Sequence, residues 1–242
     1  MEAKDRIIVA LDVGSLREVE KLVTELAPHV GLFKVGLQLL TAVGAPKVVE
    51  FVHRLGGNVF FDGKFDDIPN TVGEASKAVS DMRVNMFNVH ASTGISAMMA
   101  AVANKGNSKV LAVTVLTSLE ENNAHLIFGA PSKAKVLQLA RDAKLAAVDG
   151  IICSPQELEL LTKQKELNGM EFVTPGVRPE WAAVGDQKRV MTPYEAIICG
   201  AHMLVIGRPI TNPPENIGSP TDAAQRIAEK MQDAWGGRKT NG

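Results

Sequence analysis

The sequence is poor in aromatic residues and carries almost no net charge. Phe, Trp and Tyr make up 5% of the 242 residues, with one Tyr and two Trp, and this is too few for the stacking platforms that bind single-stranded nucleic acid. Lys and Arg number 26 against 27 Asp and Glu, a net charge of -1, so no overall field attracts nucleic acid or an anionic membrane. These shortages favour a small-molecule ligand whose anionic groups are held by a local site.

Cysteine and long apolar runs are also scarce. Cys153 and Cys199 are the two cysteines, and their separation suits neither a zinc site nor a disulfide framework, which indicates a reducing compartment. The apolar stretch at 7–11 is too short for a signal-peptide core and is followed at once by Asp12. No run reaches the roughly 18 apolar residues of a membrane span. We therefore expect a cytoplasmic protein without a membrane partner.

What the sequence does contain is a regular alternation of two kinds of segment. Apolar residues make up 45% and charged residues 22%, the balance of a folded protein with a sizeable core. Short runs rich in Val, Ile, Leu and Phe are typical of parallel strands covered on both faces, and amphipathic stretches with helical spacing separate them. The predicted strands are 6–12, 32–36, 58–64, 86–91, 110–116, 150–154, 171–176 and 203–208. Predicted helices include 16–26, 45–55, 132–144, 156–165 and 221–235.

This alternation predicts one α/β domain, a (β/α)8 TIM barrel over residues 1–242. Eight strand–helix units in 242 residues average about 30 residues each, and a barrel of this kind has about 250. A doubly wound open sheet is the structural alternative, but the sequence LDVGS at 11–15 lacks the Gly-rich fingerprint expected after its first strand. Residues 236–242 are expected to form a frayed tail.

Charged residues cluster at the ends of the second and third predicted strands. Asp62 and Lys64 are two residues apart, so both side chains point into the barrel at the end where such barrels carry catalytic groups. Lys34 and Asp67 complete four charges of alternating sign. For an isolated Asp-x-Lys pair a structural ion pair is the commoner explanation. At this position, however, the array can keep a lysine protonated and ready to protonate a carbanion.

The end of the eighth predicted strand has the features of a phosphate site. Gly207 lets the backbone approach an anion, and Arg208 supplies a planar fork of donors, in a region where barrels often bind phosphate. The loop 175–189, which carries Arg178 and Gln187, is predicted to be a lid. Taken alone, a Gly-Arg turn is more often a loop with a solvated cation.

Two other polar residues follow predicted strands but have weaker support. His90 has no second His or Cys at metal-ligand spacing, so a structural role is favoured. Cys153 is more typical of a small buried gap than of a nucleophile, because no base is identifiable beside it. No metal site is expected.

The polar segments, taken in order, resemble one known family. Residues 62–71, DGKFDDIPNT, match the Asp-x-Lys-x-x-Asp-Ile-Pro-Asn-Thr signature of the orotidine 5'-monophosphate decarboxylases. Further matches to the bacterial branch of that family lie at 9–12, 33–36, 88–92, 112–118, 173–178, 185–187 and 205–209. The resemblance implies cofactor-free decarboxylation of orotidine 5'-monophosphate to uridine 5'-monophosphate, the last step of pyrimidine nucleotide synthesis.

The resemblance also implies roles for individual residues. Lys64 is the implied proton donor, Asp62 lies beside the substrate carboxylate, and Lys34 and Asp67 hold Lys64 in place. The implied substrate-binding residues are Asp12 and Thr71 for the ribose, Thr117 for the pyrimidine, and Arg178, Gln187, Gly207 and Arg208 for the phosphate end. In relatives the last Asp of the signature and the Ile and Thr after it, here Asp67, Ile68 and Thr71, reach into the neighbouring subunit's site, so a homodimer with shared active sites is implied.

The sequence departs from the family signature at two positions, and two other functions are alternatives to the one that the resemblance implies. Gly63 stands where relatives usually carry a larger residue, and Asp66 stands where His is common. One alternative is a related barrel sugar-phosphate decarboxylase or aldolase, which typically recruits magnesium through an extra acidic residue; Lys34 is a poor ligand for that ion. The other is a non-catalytic nucleotide-binding protein, which the intact Asp62 and Lys64 disfavour.

Overall fold

Eight parallel strands close into a barrel in the computed structural model, which describes residues 2–182 and 191–239. Each strand pairs with the next along the chain, and the eighth pairs with the first. The strands are β1 (Ile7–Ala10), β2 (Leu32–Gly36), β3 (Val59–Phe65), β4 (Met86–His90), β5 (Lys109–Val113), β6 (Gly150–Ile152), β7 (Glu171–Pro175) and β8 (Met203–Ile206). The predicted (β/α)8 barrel is thereby confirmed.

Helices follow the strands and form the outer layer of the barrel. They are α1 (Leu16–Leu26), α2 (Leu37–Val43), α3 (Ala45–Arg54), α4 (Pro69–Asp81), α5 (Ile95–Ala103), α6 (Glu121–Phe128), α7 (Ser132–Leu145), α8 (Leu158–Thr162), α9 (Pro193–Ile198), α10 (Arg208–Thr211) and α11 (Pro220–Lys239). None of the helices in the described ranges has the length and hydropathy that a membrane crossing requires.

Helix α1 shows how local sequence sets these elements. Ser15 accepts a hydrogen bond from the backbone N–H of Glu18, and its hydroxyl donates to the Glu18 carboxylate, so the first turn is capped. Val19, Leu22, Val23 and Leu26 lie on one face of the helix and are buried against the barrel. Burying such a side chain fully contributes about 1.5–3 kcal/mol.

The strands divide the apolar residues between two cores. Successive strand residues point to opposite faces, so Ile8 and Phe60 pack inside the barrel, whereas Ile7 and Phe61 pack under the helices. Side chains fill the barrel interior, which leaves the carboxyl-terminal ends of the strands as the place where polar groups collect.

The sequence located most elements to within a few residues. Strand β2 and helix α1 have the predicted bounds. Strand β5 is shorter than predicted because its partner β4 ends at His90, which pairs with Val113. The predicted helix 156–165 is instead a 3-10 turn followed by α8. Helix α11 continues to Lys239, so residues 236–239 of the expected tail are helical.

Candidate active site

Strand register brings four charged side chains together at one rim of the barrel. Ala10 pairs with Lys34, and Gly36 pairs with Asp62. The ends of β1, β2 and β3 are therefore adjacent, and Asp12, Lys34, Asp62 and Lys64 extend from them. Lys34 Nζ lies 3.3 Å from Asp12 Oδ1 and 3.0 Å from Asp62 Oδ2. Lys64 Nζ lies 2.6 Å from Asp62 Oδ1. The four groups form a row of alternating charge.

The centre of this row is buried and its outer end is not. The side chains of Asp62 and Lys34 are 10% and 14% exposed, whereas that of Asp12 is 65% exposed. Taking ionised groups out of water is unfavourable unless each has partners of opposite charge. The two carboxylates and two ammonium groups supply those partners for one another.

The row fixes the charge of its two most buried members. Burial by itself would raise the pKa of Asp62, but the ammonium groups of Lys34 and Lys64 and hydrogen bonds from Lys64 and Asn88 outweigh it, and that pKa is lowered. Burial alone would lower the pKa of Lys34, but the charges of Asp62 and Asp12 dominate and raise it. Both groups are therefore ionised near neutral pH.

Strand β3 bulges at the residues that carry the site. Its pairing with β4 passes from Phe61↔Phe87 to Phe65↔Val89, so three residues of β3 face one residue of β4. Within the bulge Lys64 has a φ of 52°, which is uncommon for a residue other than glycine. The bulge re-aims the Lys64 side chain toward Asp62 at the barrel mouth.

The sequence did not indicate a functional role for Asn88, but the structure shows this residue hydrogen-bonded to both Lys64 and Asp62. Its Nδ2 donates to Asp62 Oδ1 at 2.7 Å, and its Oδ1 accepts from the backbone N–H of Lys64 at 2.8 Å. The signal in the sequence was an asparagine among the apolar residues Met86, Phe87 and Val89 of strand β4, because a buried amide needs hydrogen-bond partners.

A cavity of about 200 Å³ opens beside the row of charges. Lys34, Asp62 and Lys64 line one side, and Phe60 with Val205 supplies apolar surface. Thr117 lines the same cavity, so the structure brings the predicted pyrimidine contact to the charged row. A mostly apolar cavity with a few convergent polar groups is typical of a small-molecule site.

Asp67 does not join the row in its own chain. Its side chain is exposed, and its Oδ1 accepts a hydrogen bond from the backbone N–H of Ile68 at 2.7 Å. Within residues 2–182 and 191–239 no ion pair to Asp67 occurs, and Asp12 instead occupies the outer end of the row. Asp67 therefore lies outside the row of its own chain, and its implied place in the site of a neighbouring subunit stays a prediction. Thr71, in the first turn of α4, is also exposed.

The predicted phosphate residues lie around the neighbouring end of β8. A side chain at Gly207 would place its Cβ 3.6 Å from Asp12 Oδ2, so this residue adjoins the charged row. Arg208 begins α10 and is exposed, and Arg178 follows β7 and is partly buried. Gln187 and part of the loop expected to form a lid lie outside the described residues.

The two departures in the signature are separated from the row of charges. A Cβ on Gly63 would meet the ring of Phe61 at 2.5 Å and that of Phe65 at 3.3 Å, so this position faces the helical layer, as expected. Asp66 is exposed, and its charge acts on His90. Burial nevertheless lowers the pKa of His90, which favours the neutral imidazole.

Cys153 is buried at the end of β6, and burial raises the pKa of its thiol, which does not favour a nucleophile. In the part of the chain that the structure describes, no group of three or more His, Cys, Asp or Glu side chains could hold a metal ion.

A family model described as "Orotidine 5'-phosphate decarboxylase / HUMPS family" matches residues 5–227. The chain belongs to this family. A protein of Geotalea daltonii named orotidine 5'-phosphate decarboxylase is 47% identical over 240 residues, covering 95% of this chain and 97% of its own length. A protein of Moorella thermoacetica with the same name is 45% identical over 245 residues, covering 96% and 94%.

Solved structures of the family share the fold. The orotidine 5'-phosphate decarboxylase of Lactobacillus acidophilus superposes with a TM-score of 0.79 at 32% identity, covering 93% of this chain and 98% of that one. The orotidine 5'-monophosphate decarboxylase of Methanocaldococcus jannaschii, solved with the inhibitor BMP, gives 0.73 at 25% identity, covering 93% and 98%. The resemblance to this family seen in the sequence is confirmed.

Proposed function

We propose that this chain decarboxylates orotidine 5'-monophosphate to uridine 5'-monophosphate without a cofactor, with Lys64 as the proton donor. The observation that carries the proposal is the Asp62 carboxylate held between two ammonium groups, 3.0 Å from Lys34 Nζ and 2.6 Å from Lys64 Nζ, at the edge of a cavity. Membership of the family supports the substrate class.

The chemistry requires a fixed positive charge at one carbon. Cleavage of the bond between ring carbon 6 and the carboxylate releases carbon dioxide and leaves an electron pair in the ring plane, where no neighbouring group delocalises it. A preorganised ammonium group stabilises such a carbanion more effectively than mobile water does. Lys64 then transfers a proton to carbon 6, and its neutral amine regains a proton from solvent.

The other charges of the row orient the donor and balance its charge. Asp62 holds Lys64 Nζ and faces the substrate carboxylate, and Lys34 ties Asp62 to Asp12. Because Lys34 already places a positive charge between these two carboxylates, the arrangement does not favour a magnesium ion there. This supports the nucleotide decarboxylase over the sugar-phosphate alternative.

The binding residues fall in the order that a nucleotide requires. Thr117 lines the cavity and is assigned to the pyrimidine, while Asp12, together with Thr71 from the second subunit, is assigned to the ribose. Gly207 adjoins Asp12, which suits a phosphate attached to the ribose. The proposed residues at the phosphate end are Arg178, Gln187, Gly207 and Arg208.

We further propose a homodimer in which Asp67 completes the site of the partner subunit. Asp67 is exposed beside Ile68, a residue that is 66% exposed, and Leu37 and Met99 are also exposed large apolar residues. An interface between proteins usually buries large apolar side chains of this kind. A second copy of the chain would bury Ile68 and bring Asp67 to the charged row.

The catalytic proposal is tested by following the loss of the pyrimidine chromophore when the protein is incubated with orotidine 5'-monophosphate and a metal chelator. We expect turnover by the wild type and none by Lys64→Ala. Lys163→Ala is the matched control, because Lys163 is 68% exposed and pairs with Glu159 on the surface of α8. Binding of the nucleotide without turnover by the wild type would favour the non-catalytic alternative.

The shared site is tested by mixing two inactive variants, Lys64→Ala and Asp67→Ala. If subunits exchange freely, half of the dimers are mixed and each contains one intact site, so about a quarter of the wild-type activity should return. If the mixture is no more active than either variant alone, although a tagged subunit shows that subunits have exchanged, Asp67 does not contribute to the site of the partner subunit.

The free thiols of Cys153 and Cys199 suit a reducing compartment, and the cytoplasmic location stays a prediction.

A further inference from the structure

Asn88 is a polar side chain with no exposure to solvent, inside the barrel on β4. A buried amide is unfavourable unless both of its ends find hydrogen-bond partners. Both ends of Asn88 do so within the same short segment of β3: the oxygen accepts from the backbone N–H of Lys64, and the nitrogen donates to the carboxylate of Asp62. One side chain therefore connects the backbone of the proton donor to the side chain of its acidic neighbour.

The backbone contact lies where the strand ladder is interrupted. Residues 62–64 of β3 face Asn88 alone, between the pairs Phe61↔Phe87 and Phe65↔Val89. Because Lys64 has a φ of 52°, its backbone N–H cannot form the hydrogen bond of a regular strand pair. The Asn88 oxygen takes the place of a ladder carbonyl and holds the left-handed conformation from which the Lys64 side chain starts.

The side-chain contact fixes the orientation of the carboxylate. Asp62 Oδ1 accepts from Lys64 Nζ at 2.6 Å and from Asn88 Nδ2 at 2.7 Å, while Oδ2 faces Lys34 Nζ at 3.0 Å. Of these three donors, the two lysines have flexible stems. Asn88 is the short, fully buried one, so it sets the plane of the carboxylate and through it the position of both ammonium groups.

We propose that Asn88 is a positioning residue for proton transfer by Lys64. The inference rests on the proposed function of the site, and it assigns Asn88 no contact with substrate. A positioning role predicts a loss in turnover with little loss in nucleotide affinity, because a small displacement of a reacting group lowers the rate more than it lowers binding.

The first test is Asn88→Ala, compared with Ser108→Ala. The Ser108 hydroxyl is also buried and donates to the carbonyl of Val84, but it lies at the start of β5, at the other end of the barrel. We expect kcat to fall about 100-fold in Asn88→Ala, with the dissociation constant of uridine 5'-monophosphate within about threefold of the wild type. Ser108→Ala should keep its kcat. Equal kcat values in the folded fractions of both variants would overturn the proposal.

The second test is Asn88→Asp, which matches the shape of asparagine and keeps the protein close to its native packing. Protonated, the new carboxyl can donate to Asp62 and accept from Lys64; ionised, it repels Asp62. The charged or titratable groups around it are Asp62 and Lys64 on β3, Lys34 on β2 and His90 on β4. We therefore expect kcat of this variant to fall as pH rises through the pKa of the new carboxyl. A pH profile parallel to that of the wild type would contradict the role of the donor.

A third measurement separates this inference from the proposed function. The Asp62 carboxyl carbon is followed by NMR titration of the ligand-free protein, with Asp62→Asn identifying the signal. Loss of the Asn88 donor should move the Asp62 titration to higher pH, because one hydrogen bond to the ionised form is lost. An unchanged titration would refute the contact with Asp62. Absence of decarboxylation by the wild type would remove the proposed function and leave this titration as the test of Asn88.

Discussion

Replacing Gly36 with alanine should displace the Lys34 ammonium group without straining the backbone. Gly36 ends β2 with φ −100° and ψ 179°, a conformation open to any residue. The new Cβ would lie 3.0 Å from Lys34 Nζ, 3.7 Å from Asp62 Oδ2 and 4.0 Å from Asp12 Oδ1. The van der Waals distance between a methyl carbon and an ammonium nitrogen is about 3.5 Å, so Lys34 Nζ must move by about 0.5 Å. The methyl group therefore disturbs the row of charges at its centre.

The cost follows from the size of that displacement. A misplacement of about 1 Å lowers a rate by about 100-fold, so about 0.5 Å corresponds to about tenfold, or about 1.4 kcal/mol in the activation barrier. Steady-state decarboxylation and thermal unfolding should be measured together. Gly14→Ala is the control, since its Cβ would meet Gln38 Nε2 at an ordinary 3.8 Å. A Gly36→Ala protein that kept kcat/KM within about twofold of the Gly14→Ala protein would refute the reasoning.

Three further predictions concern stability and reactivity. The pKa of Asp62 is lowered from 3.8. The contribution of Asp62 to stability is therefore complete above its pKa in the unfolded chain and is lost as pH falls through its lower pKa in the folded chain. The free energy of unfolding, measured by denaturant titration, should fall less steeply at acid pH in Asp62→Asn than in the wild type. Gly63→Ala would place a Cβ 2.5 Å from the Phe61 ring, and we expect a loss of about 1–3 kcal/mol in the free energy of unfolding measured by denaturant titration. Cys153 is buried and Cys199 is partly exposed, so a thiol reagent should modify Cys199 in the native protein and both only after unfolding; rapid native modification of Cys153 would contradict its burial.

The row of charges shows why a site can be predicted in part. The sequence placed Asp62 and Lys64 on one face of a strand and Lys34 at the end of another, because strand periodicity and barrel geometry act over short distances. It could not place Asp12 at 3.3 Å from Lys34, because that distance depends on the register between β1 and β2. The assignment of Asp67 to a neighbouring subunit's site came from the family resemblance and not from spacing, since the direction of a side chain beyond a strand end depends on the local backbone.

The sequence by itself determined the alternation of strands and helices, the (β/α)8 barrel and the resemblance to the family, because each depends on local patterns repeated along the chain. Only the tertiary structure decided that β3 bulges at Lys64, that φ there is 52°, and that Asn88 holds both Lys64 and Asp62. The physical reason is that a buried hydrogen bond between strands depends on how two distant segments are aligned. That alignment is set by the packing of the whole barrel, and no local pattern in β3 or β4 encodes it.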